Sequence, residues 1–145
     1  MILTVTLNAA VDKTHIIPDF RLHAVNRPSR VLAMAGGKGI NVARVLNALG
    51  EPALAMGIVA GHRGAFILDS LTDEGIDHVF HRMARGESRT CLAIVQPETG
   101  LQTEILEPGA PVGPDAFAAF CDLFTARLPR ADWVVFSGSM PPGLD

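Results

Sequence analysis

Ala35-Gly36-Gly37-Lys38-Gly39-Ile40-Asn41-Val42-Ala43-Arg44-Val45-Leu46-Asn47-Ala48-Leu49-Gly50 is the stretch on which the fold turns. A glycine-dense turn at 35–39 gives way to a helix predicted from about Ile40 to Leu49. Ile40, Ala43, Leu46 and Leu49 fall three apart on one face, and Val42 and Val45 add a second apolar side. Gly50 stops the helix at its C′ position. An apolar surface on two sides implies a helix packed between layers.

The segments on either side set the rhythm. Ile2 to Leu7 is a β-branched, nearly continuous apolar run, the pattern of a strand buried on both faces. Ala53 to Ala60 is a second such strand. A helix is predicted from Arg63 to Glu74, with Phe66, Ile67, Leu68 and Leu71 inward and Gly75 as its stop. His78 to Arg82 reads as a short strand. Pro114 opens a third helix carrying Phe117, Phe120, Cys121, Phe124 and Leu128, and Trp133 to Phe136 reads as another buried strand. Strands alternating with helices over short connections predict a parallel, doubly wound α/β sheet. Two segments break the rhythm. Residues 13–34 carry Pro18 and Pro28, and 87–107 holds a hairpin signal at Pro97-Glu98-Thr99-Gly100. Both are expected to form a small accessory sheet. Leu144-Asp145 reads as the approach to a further helix and its cap, so the chain is expected to be a piece of a longer one.

Composition narrows the function. The 145 residues are 48% hydrophobic and 19% charged, a globular balance. A net charge of −3, with ten arginines and two lysines scattered along the chain, exerts no general pull on nucleic acid or anionic membrane. No apolar run approaches the roughly 20 residues that span a bilayer. The N-terminus reads straight into a strand without a charged leader, and Cys91 and Cys121 lack CxxC spacing. Buried, reduced thiols and a cytoplasmic location are the expectation. The five histidines show no metal-ligand pattern, and no GxSxG elbow surrounds Ser137 or Ser139.

In open α/β sheets ligands gather beyond the carboxyl ends of the strands. Asn8 and Asp12 follow the first strand, Ser137 and Ser139 follow the last, and the 36–39 turn opens the first helix. That turn is neither a Walker loop, since Lys38 is followed by Gly39, nor a dinucleotide fingerprint, since position 42 is valine. Two readings remain: glycines that let a ligand reach backbone, with Lys38 and Asn41 as donors, or glycines that let the helix pack tightly. Asp12 can equally be a turn residue. Arg27 and Arg89, singly, read as solvated surface charges; with Lys38 they could form a cationic pocket for a phosphate monoester.

These motifs together resemble a family. TLNAAVDKT (6–14), VNR (25–27), AGGKGINVARVLNALG (35–50), ESRTCLAIV (87–95), TEILEPG (103–109) and SGSMPPG (137–143) run in the order found in the ribokinase-like (pfkB) carbohydrate kinases, in the branch of 1-phosphofructokinases and tagatose-6-phosphate kinases. One departure is Ala9, where close relatives usually carry proline. The resemblance implies a Rossmann-like α/β/α sheet, incomplete at its C-terminus, with a small β lid that often forms a homodimer interface. It implies that Asp12, Gly36, Gly37 and Asn41 bind sugar hydroxyls, that Arg27, Lys38 and Arg89 hold a sugar phosphate, and that Ser137 lines the floor. It implies ATP with Mg²⁺ as phosphoryl donor and a ketohexose monophosphate as acceptor. The family's catalytic aspartate, its glycine-rich anion hole and most of its ATP site lie beyond 145. No catalytic or metal-binding residue is therefore expected here, and the chain alone is expected to be inactive. A non-catalytic sugar-phosphate-binding module and a kinase for an unphosphorylated sugar or nucleoside are the alternatives.

Overall fold

The computed structural model describes residues 1–144, so the cap expected at Asp145 lies outside the described residues. Two four-stranded sheets account for the eight strands. β1 (Ile2–Thr6), β4 (Ala53–Ala60), β5 (His78–Met83) and β8 (Trp133–Phe136) form an all-parallel sheet in the order β5-β4-β1-β8. β2 (Ala10–Ile16), β3 (Arg30–Gly36), β6 (Arg89–Gln96) and β7 (Leu101–Leu106) form the second, in the order β3-β2-β6-β7. In that second sheet only the β2–β6 pairing is parallel. It begins at Ala10, earlier than the irregular sequence segment at 13–34 suggests, so Asp12 lies within a strand rather than in a turn after β1.

Three helices cover the parallel sheet: α1 (Lys38–Ala48), α2 (Gly61–Asp73) and α3 (Pro114–Thr125). Ile40 and Ala43 of α1 and Ile67 and Leu71 of α2 are fully buried with Val11, Ala35 and Val59 in one core cluster. Leu3, Val5, Met56 and Ile58 point to the other face, where Phe120 of α3 meets them. β1 is buried throughout beyond Ile2, as its apolar run requires.

Three burial expectations need correction. β8 is not buried among the described residues: Trp133 is 71% and Phe136 61% exposed, because among them the strand pairs with β1 alone. α1 is covered on one face only, leaving Val45 and Leu49 exposed. Phe66 of α2 is likewise turned outward, since Ile67 and Leu71 already fill the face against the sheet. Both cysteines are free and half-buried.

The strand order positions the site. From β1 the chain builds through β4 to β5 on one side, while β8 lies on the other. The order therefore reverses at β1, and a crevice opens beyond the carboxyl ends of β1 and β8, the usual ligand position in such sheets.

Candidate active site

The crevice continues under the second sheet as a cleft of about 500 Å³. Register explains which side chains enter it. Ala10, Asp12 and Thr14 of β2 pair with Arg89, Cys91 and Ala93 of β6, and Cys91 and Ala93 pair in turn with Leu106 and Glu104 of β7. Strand side chains alternate between faces, so these residues share one face, and all of them line the cleft together with Met34 and Gln102. The second sheet is thus a lid over the carboxyl ends of β1 and β8. The opposite wall is Thr6, Asn8, Gly37, Lys38, Asn41, Gly138 and Ser139.

Asp12 is the acidic centre. Burial raises its carboxyl pKa above the ordinary 3.8, a rise opposed by the charges of Arg89 and Arg44 and by a hydrogen bond from the Cys91 thiol. The Asp12 carboxylate occupies the place a side chain would take at position 36: a Cβ on Gly36 would sit 2.1 Å from Asp12 Cγ. Gly37 has φ 118°, a conformation open to glycine and poor for other residues, and a Cβ there would strike Thr6. Gly39 packs so closely on β1 that a Cβ would stand 2.4 Å from Thr6 Oγ1 and 2.6 Å from the Val5 carbonyl oxygen. Both readings of the glycine turn therefore hold at different residues: Gly36 makes room for Asp12, and Gly39 seats the helix. The N-terminus of α1 carries no side-chain cap and no acidic residue in its first turn. Its amides and partial positive charge remain available to a polar ligand.

Arg89 is anchored from behind. Its Nε donates to the Asn8 carbonyl (3.2 Å) and Nη1 to the Glu107 carbonyl (3.3 Å). The Glu107 carboxylate accepts from the Thr90 amide (2.8 Å) and from Arg63 (2.7 Å), which locks the end of β7 to β6. Asn8 is buried and ties three loops together: its Nδ2 lies 3.0 Å from the Pro108 carbonyl, 3.2 Å from that of Met140 and 3.3 Å from Ser139 Oγ.

Of the residues singled out from sequence, Asp12, Gly37, Lys38, Asn41 and Arg89 line the cleft, and Gly36 lies against Asp12. Two do not join them. Ser137 is tied through its amide to the Val5 carbonyl, and Gly138 and Ser139 line the cleft instead. Arg27 is exposed in the β2–β3 connection, beyond the Ser29–Ile16 hydrogen bond, at the end of β2 away from Ala10. The structure adds Cys91, Gln102 and Glu104 to the cleft, and nothing local in the sequence marks them, because strand register alone brings them beside Asp12 and Arg89. Among the described residues no three His, Cys, Asp or Glu side chains are grouped as a metal ion requires. No helix among them is long and apolar enough to cross a membrane.

The sequence pattern of pfkB family carbohydrate kinases matches residues 4–145. The chain belongs to this family. Solved pfkB-like structures agree with the assignment. A candidate 1-phosphofructokinase from Thermotoga maritima is 35% identical with a TM-score of 0.93, over 100% of this chain and 47% of its own. Phosphofructokinase-2 from Escherichia coli, solved with fructose-6-phosphate, is 28% identical with a TM-score of 0.88, over 99% of this chain and 47% of its own. A candidate phosphofructokinase from Staphylococcus aureus is 31% identical with a TM-score of 0.86, over 100% and 46%. The pfkB chain described here thus spans about half the length of these relatives.

Proposed function

We propose that this chain forms the acceptor half of a kinase that transfers the γ-phosphoryl of ATP to the free primary hydroxyl of a ketohexose monophosphate, giving the bisphosphate. The convergence of Asp12 (β2), Lys38 and Asn41 (α1) and Arg89 (β6) on one cleft, beside an uncapped helix N-terminus, carries the reading. The Asp12 carboxylate accepts from sugar hydroxyls and Asn41 donates to the ring, while Lys38 and Arg89 hold the existing phosphate through charge-assisted hydrogen bonds. Fructose 1-phosphate, fructose 6-phosphate and tagatose 6-phosphate all suit this donor set. ATP with Mg²⁺ would supply the transferred group; among the described residues no His, Cys, Asp or Glu side chains are grouped to hold the metal. The role of this half is to desolvate, orient and present the acceptor hydroxyl, which in phosphoryl transfer is a large part of the catalytic task.

The lid also supports a homodimer. Val31, Leu101 and Ile105, which alternate with the cleft-lining residues and so share the lid's other face, are more than half exposed, an apolar surface that a second lid would cover. Two observations favour a second reading, a kinase for an unphosphorylated sugar. Glu104 brings negative charge to the cleft, and Arg27 stands apart from it.

Calorimetric titration of the chain with the three ketohexose phosphates and with free fructose separates the two. Phosphate-dependent binding that Arg89→Ala weakens roughly 10- to 100-fold is expected, the loss of a hydrogen-bonded charge of about 1.5–3 kcal/mol. In the complete enzyme the same change raises KM for the sugar. Equal binding of free fructose, or an unchanged KM, would overturn the phosphate role.

A further inference from the structure

Behind the cleft wall lies a polar network that the proposed chemistry does not use. Arg44 is on α1 one turn after Asn41, and Glu74 caps the C-terminal end of α2. Arg44 Nε donates to Glu74 Oε2 (2.5 Å) and Nη2 to Glu74 Oε1 (3.1 Å), a two-pronged ion pair with both side chains about three-quarters buried. The remaining donors of the guanidinium point toward the site. Nη1 donates to Asn41 Oδ1 (2.6 Å), and Nη2 also reaches the Ala35 carbonyl (2.7 Å). Ser70 closes the circuit, donating to Glu74 Oε1 (3.1 Å) and accepting from the Ala35 amide (3.2 Å). Ala35, immediately before the glycine turn, is therefore held by both of its backbone groups.

We propose that Arg44, braced by Glu74, is a positioning residue that sets the orientation of the Asn41 carboxamide and the height of the glycine turn. The argument rests on donor chemistry. A guanidinium has only donors, so the Asn41 atom facing it must be the oxygen. The amide group is then the half of the carboxamide left for the cleft, and Asn41 meets a ligand as a hydrogen-bond donor. Without Arg44 the carboxamide can rotate and present its oxygen beside the Asp12 carboxylate. Arg44 itself is not among the cleft-lining residues, so it acts through Asn41 and Ala35. The Glu74 carboxyl, held below its ordinary value by the Arg44 hydrogen bonds, remains the charged partner this brace requires.

This inference rests on the proposed binding role of Asn41, and two readouts keep the two claims apart. The first needs no sugar. In the ¹⁵N-labelled chain, the Asn41 side-chain amide signals, identified by their loss in Asn41→Ala, should move in Arg44→Lys, which keeps the charge but not the planar fork. Unmoved signals overturn the positioning role whatever the cleft binds. The second readout is titration with fructose 6-phosphate and fructose 1-phosphate. Arg44→Lys is expected to weaken binding about tenfold in the parent chain and to add nothing in Asn41→Ala, the sign of coupled neighbours. Equal weakening in both backgrounds makes Arg44 merely structural and sinks the proposal. If Asn41→Ala binds as tightly as the parent while Arg44→Lys still moves the amide signals, the binding role of Asn41 falls and the brace alone stands. Glu74→Gln, which keeps the shape of the brace, repeats both readouts should Arg44→Lys fail to fold.

Discussion

At the residue scale, Asp12 shows how a binding group is held at some cost to stability. Burial of its carboxyl outweighs the help of Arg89 and Arg44, so its folded-state pKa lies above the ordinary value of 3.8. For an acid with a raised folded pKa, the stabilisation is full below the unfolded pKa and is lost as pH rises through the folded one. Asp12→Asn removes that loss. The variant should melt at a higher temperature than the parent near neutral pH, with the difference shrinking toward pH 3, and should no longer bind sugar. Melting curves from pH 3 to 8 with a parallel titration check both halves; a variant less stable at neutral pH counts against the burial argument. Asp12 itself was legible as a candidate from its place after the first strand. Its neighbours Cys91 and Glu104 were not, because only the β2–β6–β7 register brings residues so distant in sequence into adjacent rows.

At the scale of elements, the start of α1 separates propensity from packing. Glycine inside a helix costs about 1 kcal/mol relative to alanine, so Gly39→Ala should stabilise an isolated helix. In the fold the added Cβ meets Thr6 Oγ1 at 2.4 Å and the Val5 carbonyl at 2.6 Å, one of them rigid backbone. The expected result is a net destabilisation of about 1–3 kcal/mol in urea unfolding, as for other overpacked sites. A gain in stability would mean that the helix can lift off β1. The helix was readable from the spacing of Ile40, Ala43 and Leu46, although its start at Lys38 was not. Val45 of the second apolar side and Leu49 at the end of the first misled, since periodicity records apolar surface and not what covers it.

For the molecule as a whole, the two sheets divide the work. The parallel sheet, buried on both faces at β1 and β4, supplies the frame and the end of α1. The lid, strung along its edge, supplies Asp12 and Arg89 while exposing every residue of β7. An exposed strand bearing Leu101, Ile105 and Leu106 invites pairing or cover. In the proposed lid dimer, Ile105→Asp is expected to shift sedimentation from dimer toward monomer, while the melting of the monomer changes little because Ile105 is 55% exposed and contributes little to the core of one chain. A parent protein that is monomeric at all concentrations would remove the lid dimer.

By itself the sequence determined the class of fold, the order of its elements and the family, because those follow from local periodicity and from short motifs whose residues are contiguous. The glycine turn with Asn41, the strand of 2–6 and the hairpin of 89–106 are all of this kind. What only the tertiary structure decided is which of the candidate groups meet. Arg27 and Ser137 sit in motifs as clear as those of Asp12 and Asn41, yet they do not line the cleft, while Ser139, Glu104 and Cys91 do. The Arg44–Glu74 brace joins residues 30 apart through two helices. Register, strand order and helix crossing set these meetings, and they are properties of the packed chain rather than of any segment within it.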